Sequence, residues 1–347
     1  MEPHAFETPP LPLPPKAPAA PAPVRRANSI RRTSSIDVWW PEGRGGAMQL
    51  VGRARDLVTG PDGVLVRDED ALRATVDMER TIHTIDAEPP RPAIKELVGQ
   101  RGGGRLRAAL EAALPLEVAG ATPLNLLVDD ISGSSLIAGW AWSQWDPNWG
   151  AELLRMKADP AHAQMFNRVD ICSGLRAGSS GLDLIAEGAP TASLRHPDDP
   201  DGWHAMPDIE GASMRRARRI DVSLDGQTIR IEAAFQDSAT TPAGPRAALH
   251  EYRIFAEADL EFRLTALRAE PRVLPFAECP AAAGNAGRLI GTPLQALRTA
   301  VPIELKGTVG CTHLNDALRG LADVPTLVAR LRAAMAERRA TAGAHNL

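Results

Sequence analysis

Short stretches that alternate apolar and polar residues recur along the chain. Ile36-Asp37-Val38-Trp39 and Thr228-Ile229-Arg230-Ile231-Glu232 have the two-residue period of a half-buried strand. Tyr252–Glu257 and Glu261–Leu267, split by Ala258-Asp259-Leu260, predict an antiparallel hairpin. After an Ala-Glu-Pro turn the spacing becomes helical, predicting helices near 280–291 and 311–321, with counterparts near 92–99 and 103–114. Strands followed by helices, twice over, predict an α+β fold: two pseudo-repeated units, each with antiparallel strands and helices packed on one sheet face.

The two units share sequence as well as grammar. RRTSSIDVWW (31–40) is answered by RRARRIDVSL from Arg215, and VDMERTIHTIDAEP (76–89) by ADLEFRLTALRAEP (258–271). LVGQRGGGRLRAAL (97–110) is answered by LIGTPLQALR (289–298), and Gly120-Ala121-Thr122-Pro123-Leu124-Asn125 by Gly310-Cys311-Thr312-His313-Leu314-Asn315. Four blocks in one order at a near-constant offset point to duplication. The expected organisation is a Pro-rich disordered tail at 1–30, a degenerate copy at 31–130, a Trp-rich insert at 131–214, a second copy at 215–325, and a C-terminal helix and tail at 326–347. In the insert, Trp140, Trp142, Trp145 and Trp149 are read first as packing residues and second as a ligand wall or partner surface. The tail's PPLPLPP stretch is a second possible protein-docking element.

Composition narrows the classes. A hydrophobic content of 44% in 347 residues supports a substantial core, and a formal net charge of −4 offers no global basic field for nucleic acid. No apolar run is long enough for a membrane span. Met1-Glu2-Pro3-His4 lacks the basic and apolar regions of a secretory signal, and three cysteines make no disulfide framework. The expectation is a reduced, cytoplasmic protein.

The chemistry concentrates in the second copy, which holds His250, Cys279, Cys311 and His313. Cys279 precedes Pro280 and Cys311 opens Thr312-His313-Leu314, so each is expected at a helix N-terminus, where the dipole favours thiolate. Together the four make a Cys2His2 set suited to zinc or iron. In the first copy Ala121 stands for Cys311, Pro123 for His313 and Asp68 for His250, and no cysteine answers Cys279. Loss of every candidate ligand with retention of the scaffold is what a single site predicts. Two other readings use the same features. Cys311 is a candidate nucleophile with His313 or His250 as base and Asp316 as orienter, and the insert is a candidate binding pocket. Cys172, with no Cys or His near it in sequence, reads first as structural and only remotely as part of a site closed by the insert. Asp129-Asp130 reads as an exposed helix feature, and Arg215-Arg216-Ala217-Arg218-Arg219 as a solvated sheet edge.

RRARRIDV, Leu249-His250-Glu251, Phe276-Ala277-Glu278-Cys279-Pro280, Leu289-Ile290-Gly291 and Gly310-Cys311-Thr312-His313-Leu314 resemble the bacterial domain of unknown function 2889 family over about 215–325. That resemblance implies a small bacterial cytoplasmic protein and brings no assigned activity. The layout of a strand pair, a Cys at a helix start and a Cys/His pair opening the next helix is similar to NifU-type scaffolds. His250 stands where their first cysteine falls and the last pair is Cys-x-His, which leans towards a mononuclear or structural metal.

Overall fold

The computed structural model describes residues 13–18, 21–61, 63–160 and 167–344, with side chains to Ala340. Its strands are β1 (Ser29–Trp39), β2 (Met48–Gly60), β3 (Gly63–Val76), β4 (Ile82–Glu88), β5 (Ala189–Pro190), β6 (Ser213–Asp225), β7 (Thr228–Ala239), β8 (Ala247–Ala258) and β9 (Leu264–Val273). They form one antiparallel sheet in the order β4-β3-β2-β1-β6-β7-β8, with β5 and β9 both paired to β8. Two meanders therefore run outward from the central β1–β6 pair.

Helices α1 (Gly104–Ala113), α2 (Pro115–Ala119) and α3 (Pro123–Ile137) follow the first meander. The insert contributes α4 (Trp142–Trp145) and α5 (Trp149–Ala158). The second meander is followed by α6 (Ala281–Gly284), α7 (Leu297–Glu304), α8 (Thr312–Gly320) and α9 (Val324–Ala344). The fold is α+β as expected. Over 92–99 the chain forms a 3-10 helix, Pro92–Leu97. Over 280–291 it breaks into α6 and the 3-10 turn Asn285–Leu289, because Gly284 and Gly287 weaken a long helix. α3 runs on to Ile137, past the start expected for the insert. No helix among the described residues is long and apolar enough to cross a membrane.

The core is divided. One apolar cluster joins β1–β4 to Ile94, Leu106, Leu110, Leu124 and Leu127, and the other joins β6–β9 to Leu289, Leu297, Leu314 and Leu327. Between them, on the helix face, lies a polar seam. Arg32 of β1 is 1% exposed, donates to Asp56 directly across on β2 (2.6 and 2.7 Å) and reaches Asp323 (2.7 Å). Arg216 of β6 is 1% exposed and donates to Asp237 directly across on β7 (2.8 and 3.1 Å). Burial alone would weaken either guanidinium's charge, but the carboxylates around each raise its pKa above the usual arginine range.

Two expectations are overturned here. The Arg215–Arg219 run is no solvated edge: it is the middle of the sheet, and Arg216, Arg218 and Arg219 are buried. Asp129 and Asp130 are not exposed either, because Arg107 and Arg319 hold the first while Arg216 and Arg218 hold the second. Burial would raise the Asp129 carboxyl, yet its arginines pull it down to about 2. Buried charge must be paired, and Asp130 of α3 answers Arg216 and Arg218 of β6 while Asp129 answers arginines of the helix layer.

The second sheet face is covered by chain from the insert and the N-terminal segment. Arg31 and Asp221, and Asp37 and Arg215, pair directly across β1–β6 on this side. His204 sits between Thr33 Oγ1 (Nδ1, 2.9 Å) and Ser35 Oγ (Nε2, 2.8 Å). Of the tail expected at 1–30, residues 1–12 and 19–20, with most of PPLPLPP, lie outside the described residues. Pro15 and Ala17 bond to Leu274 and Arg272, and Arg25 pairs with Asp199. The indoles serve packing: Trp140 and Trp145 donate to Ala186 and Thr240 carbonyls, and Trp142 lies against Trp40.

Arg216→Met leaves Asp237 buried and is expected to cost about 3–5 kcal/mol in denaturant unfolding, whereas Arg230→Met at a half-exposed pair costs less than about 1 kcal/mol. His204, lowered to about 3 by burial and then by Arg55 and Arg215, stays neutral when folded. The unfolded chain binds its proton near pH 6.5, so stability falls as pH drops from there towards 3. His204→Gln is expected to flatten that fall by up to about 1.4 kcal/mol per pH unit, read from unfolding midpoints across the range.

Candidate metal centre

The seam ends, on the side of the second meander, in a group of donor atoms. β8 runs directly beside β7, and its register sets His250 opposite Asp237, the residue already held by Arg216. His250 thus lies within the strand rather than just before it. Cys311 is the N-cap of α8 in extended conformation, as expected from Gly310-Cys311-Thr312, and the first turn of α8 carries His313 back over β7 and β8. His250 and His313 stack with ring centroids 3.5 Å apart and planes 18° from parallel. His250 Nδ1 lies 3.3 Å and His313 Nε2 3.8 Å from Asp237 Oδ2. One ligand atom each from Asp237, His250 and His313 lies within 4.8 Å of the others. His313 Nδ1 faces the other way, 3.9 Å from Cys311 Sγ.

Electrostatics fix the protonation of this group. Burial lowers both imidazoles, His313 most strongly because His250 and the arginines reinforce it, which favours neutral rings; His313 Nδ1 lies 3.4 Å from Thr312 Oγ1 as well as facing Cys311. Burial would raise Asp237, but Arg216, His250 and His313 hold its carboxyl far below the usual range. His250 Nδ1 is buried without a hydrogen-bond partner, 3.3 Å from the carboxylate but out of line with it.

The thiols differ from expectation. Cys279 precedes the N-cap Pro280, and α6 has only four residues, too few for a useful dipole. Cys279 and Cys311 are 6% and 4% exposed, and desolvation pushes both thiols up rather than down. Burial likewise raises Cys172, to about 11. At Cys311 burial outweighs the helix terminus, and the thiol is raised rather than lowered. A cleft of about 430 Å3 lies on the opposite sheet face around Arg31, Asp221, Arg230, Glu232 and Phe255, and no cysteine lines it.

Residues 214–327 match the model of a family described as protein of unknown function (DUF2889). That segment is a DUF2889 domain. It contains Asp237, His250, Cys279, Cys311 and His313, while Cys172 lies before it. No curated protein and no solved structure matches the chain, so the likeness in layout to NifU-type scaffolds has no match behind it.

Of the four donors expected from the sequence, His250 and His313 meet; among the described residues no cysteine joins the group within 4.8 Å, although Cys311 Sγ comes within 3.9 Å of His313 Nδ1. Sequence reasoning missed Asp237. The usable signal was the arginine run itself: a buried guanidinium demands a carboxylate opposite, and Phe235-Gln236-Asp237-Ser238 supplies the acid of the adjoining strand. It also set Cys172 aside. The Asp170–Ser180 segment of the insert lies against both cysteine-bearing turns of the DUF2889 domain: Ser173 N donates to Gly310 O (2.8 Å) and Ser173 Oγ to Glu278 O (2.7 Å).

Proposed function

We propose that the DUF2889 domain is a metal-binding domain for zinc or iron, with His250, Cys279, Cys311 and His313 as its Cys/His set and Asp237 anchoring the imidazoles. The observation that carries this reading is the stacked, buried pair of neutral imidazoles beside an ionised carboxylate, with a thiol 3.9 Å from the outward ring nitrogen. Two neutral histidines stacked in a core gain little from each other as hydrophobes. Nitrogen and sulfur donors held out of water select borderline ions over magnesium or calcium. Asp237 is occupied by Arg216 through both oxygens, which suits it to orienting a ligand rather than being one. Raised thiol pKa values mean that the metal-free centre keeps its protons, and an entering divalent ion displaces them to solvent.

The first unit is, on this reading, the same scaffold without the donors. Its register supports a duplication: Arg32 faces Asp56 and Asp56 faces Asp68, as Arg216 faces Asp237 and Asp237 faces His250. Ala121 offers its carbonyl to Arg32 where the second unit has Cys311. The degenerate unit acts as a built-in partner that completes the sheet.

Elemental analysis of the full chain purified without chelator tests the proposal. About one zinc or iron per chain is expected, lost in Cys279→Ser and Cys311→Ser. A folded protein that carries no metal and takes up none on dialysis against zinc or ferrous iron contradicts it.

A further inference from the structure

The cleft of about 430 Å3 lies on the sheet face opposite the stacked histidines, and strand register sets its floor. One row runs straight across β1, β6, β7, β8 and β9 as Arg31, Asp221, Glu232, Phe255 and Arg268. A second row, two residues along each strand, is Ser29, Ser223, Arg230, Glu257 and Ala266. Alternate residues of a strand share a face, so both rows line the cleft. Pro23, Val24 and Arg26 of the N-terminal segment form a wall. That wall is fixed in place. Ala22 N donates to Leu194 O (3.1 Å), Arg31 Nη2 to Pro23 O (2.8 Å), and Arg25 Nε to both Asp199 oxygens (2.9 and 3.0 Å). A cleft built this firmly needs little reordering to take a ligand.

The charges beside it form a chain with a cation at each end. Arg25 and Arg31 share Asp199, Arg31 and Arg219 share Asp221, and Arg219 and Arg253 share Glu232. Four guanidiniums thus divide three carboxylates. Burial lowers Arg31 and Arg219 to about 10 each, and neighbouring arginines add to the fall against the pull of the acids. Elsewhere in the cleft the charges balance locally: Arg230 stands between Asp225 and Glu257, and Arg268 pairs with Glu270. Arg26 has no carboxylate partner among the described residues. The acids that line the cleft, Asp221, Glu232 and Glu257, are all engaged, whereas the cations are not all answered. Apolar surface completes the lining, from Val24, Leu267 and Phe255, the last with Arg253 and Arg268 over its ring (5.2 and 4.7 Å).

We propose that this cleft binds a small organic anion, its negative group beside Arg26 and the arginine chain and its apolar body against Val24, Phe255 and Leu267. Size excludes a bare inorganic ion as the fitting occupant, since the volume falls within the roughly 300–1,000 Å3 of small-molecule sites. Charge excludes a cation, which would have to break an arginine pair to find a carboxylate. The proposal is independent of the metal-binding reading, because no proposed metal ligand lines the cleft.

8-Anilinonaphthalene-1-sulfonate, an aromatic monoanion that fluoresces out of water, tests this on the full chain. Its neutral counterpart N-phenyl-1-naphthylamine lacks only the sulfonate. One sulfonate probe per chain is expected, bound more tightly than the neutral one and weakened by added salt. Arg26→Ala, at an exposed position, is expected to weaken the sulfonate probe up to about fivefold and leave the neutral probe unchanged. Ala266→Trp fills the floor and is expected to abolish binding of both, with circular dichroism showing that the variant folds. Equal affinity for the two probes, unchanged sulfonate binding in Arg26→Ala, or unchanged binding in folded Ala266→Trp would overturn the proposal.

Discussion

Arg32 and Arg216 stand in the two central strands, each with its guanidinium out of water and against the carboxylate of the next strand outward. Few arrangements satisfy such a pair. The acid must come from the directly opposing register position, and the remaining guanidinium nitrogens need partners from the helix layer: Asp323 and the Ala121 carbonyl for Arg32, Asp130 and Asp316 for Arg216. The ion pairs thereby set strand register, helix placement and the division of the apolar core into two clusters. A buried pair of this kind contributes less to net stability than to uniqueness, since a slip of one residue would strand the charge.

The same pairing generates the candidate centre. Asp237 is fixed by Arg216, so His250, the next residue across the sheet, meets a carboxylate already paired and held in place. In the first unit the corresponding place beyond Asp56 is held by Asp68, and Arg330 from α9 pairs with both acids. One geometry closes on itself as an ion-pair cluster, and the other opens into nitrogen and sulfur donors. Arg32 and Asp56 need nothing from Ala121 beyond its backbone carbonyl.

Much of this was legible in the chain. Alternation in Thr228–Glu232 and the hairpin around Ala258–Leu260 follow from local period, and Cys311 at a helix start follows from Gly310-Cys311-Thr312. Strand order was not legible, because nothing local says that RRTSSIDV and RRARRIDV pair with each other at the centre of one sheet. Charge was the second obstacle. Read alone, Arg215–Arg219 and Asp129-Asp130 are solvated surface, and only long-range pairing takes them inside. The insert is the third case: Ser173 and Ser180 lie far from Glu278 in sequence, and only the folded chain brings them into hydrogen bonds with it.

The central claim is that the second unit holds an ion through sulfur and nitrogen. X-ray absorption at the metal edge, on the full chain loaded with one equivalent of zinc, reads that shell directly. The account predicts a first shell with sulfur at about 2.3 Å and nitrogen at about 2.0–2.1 Å. A first shell of oxygen and nitrogen alone would contradict it.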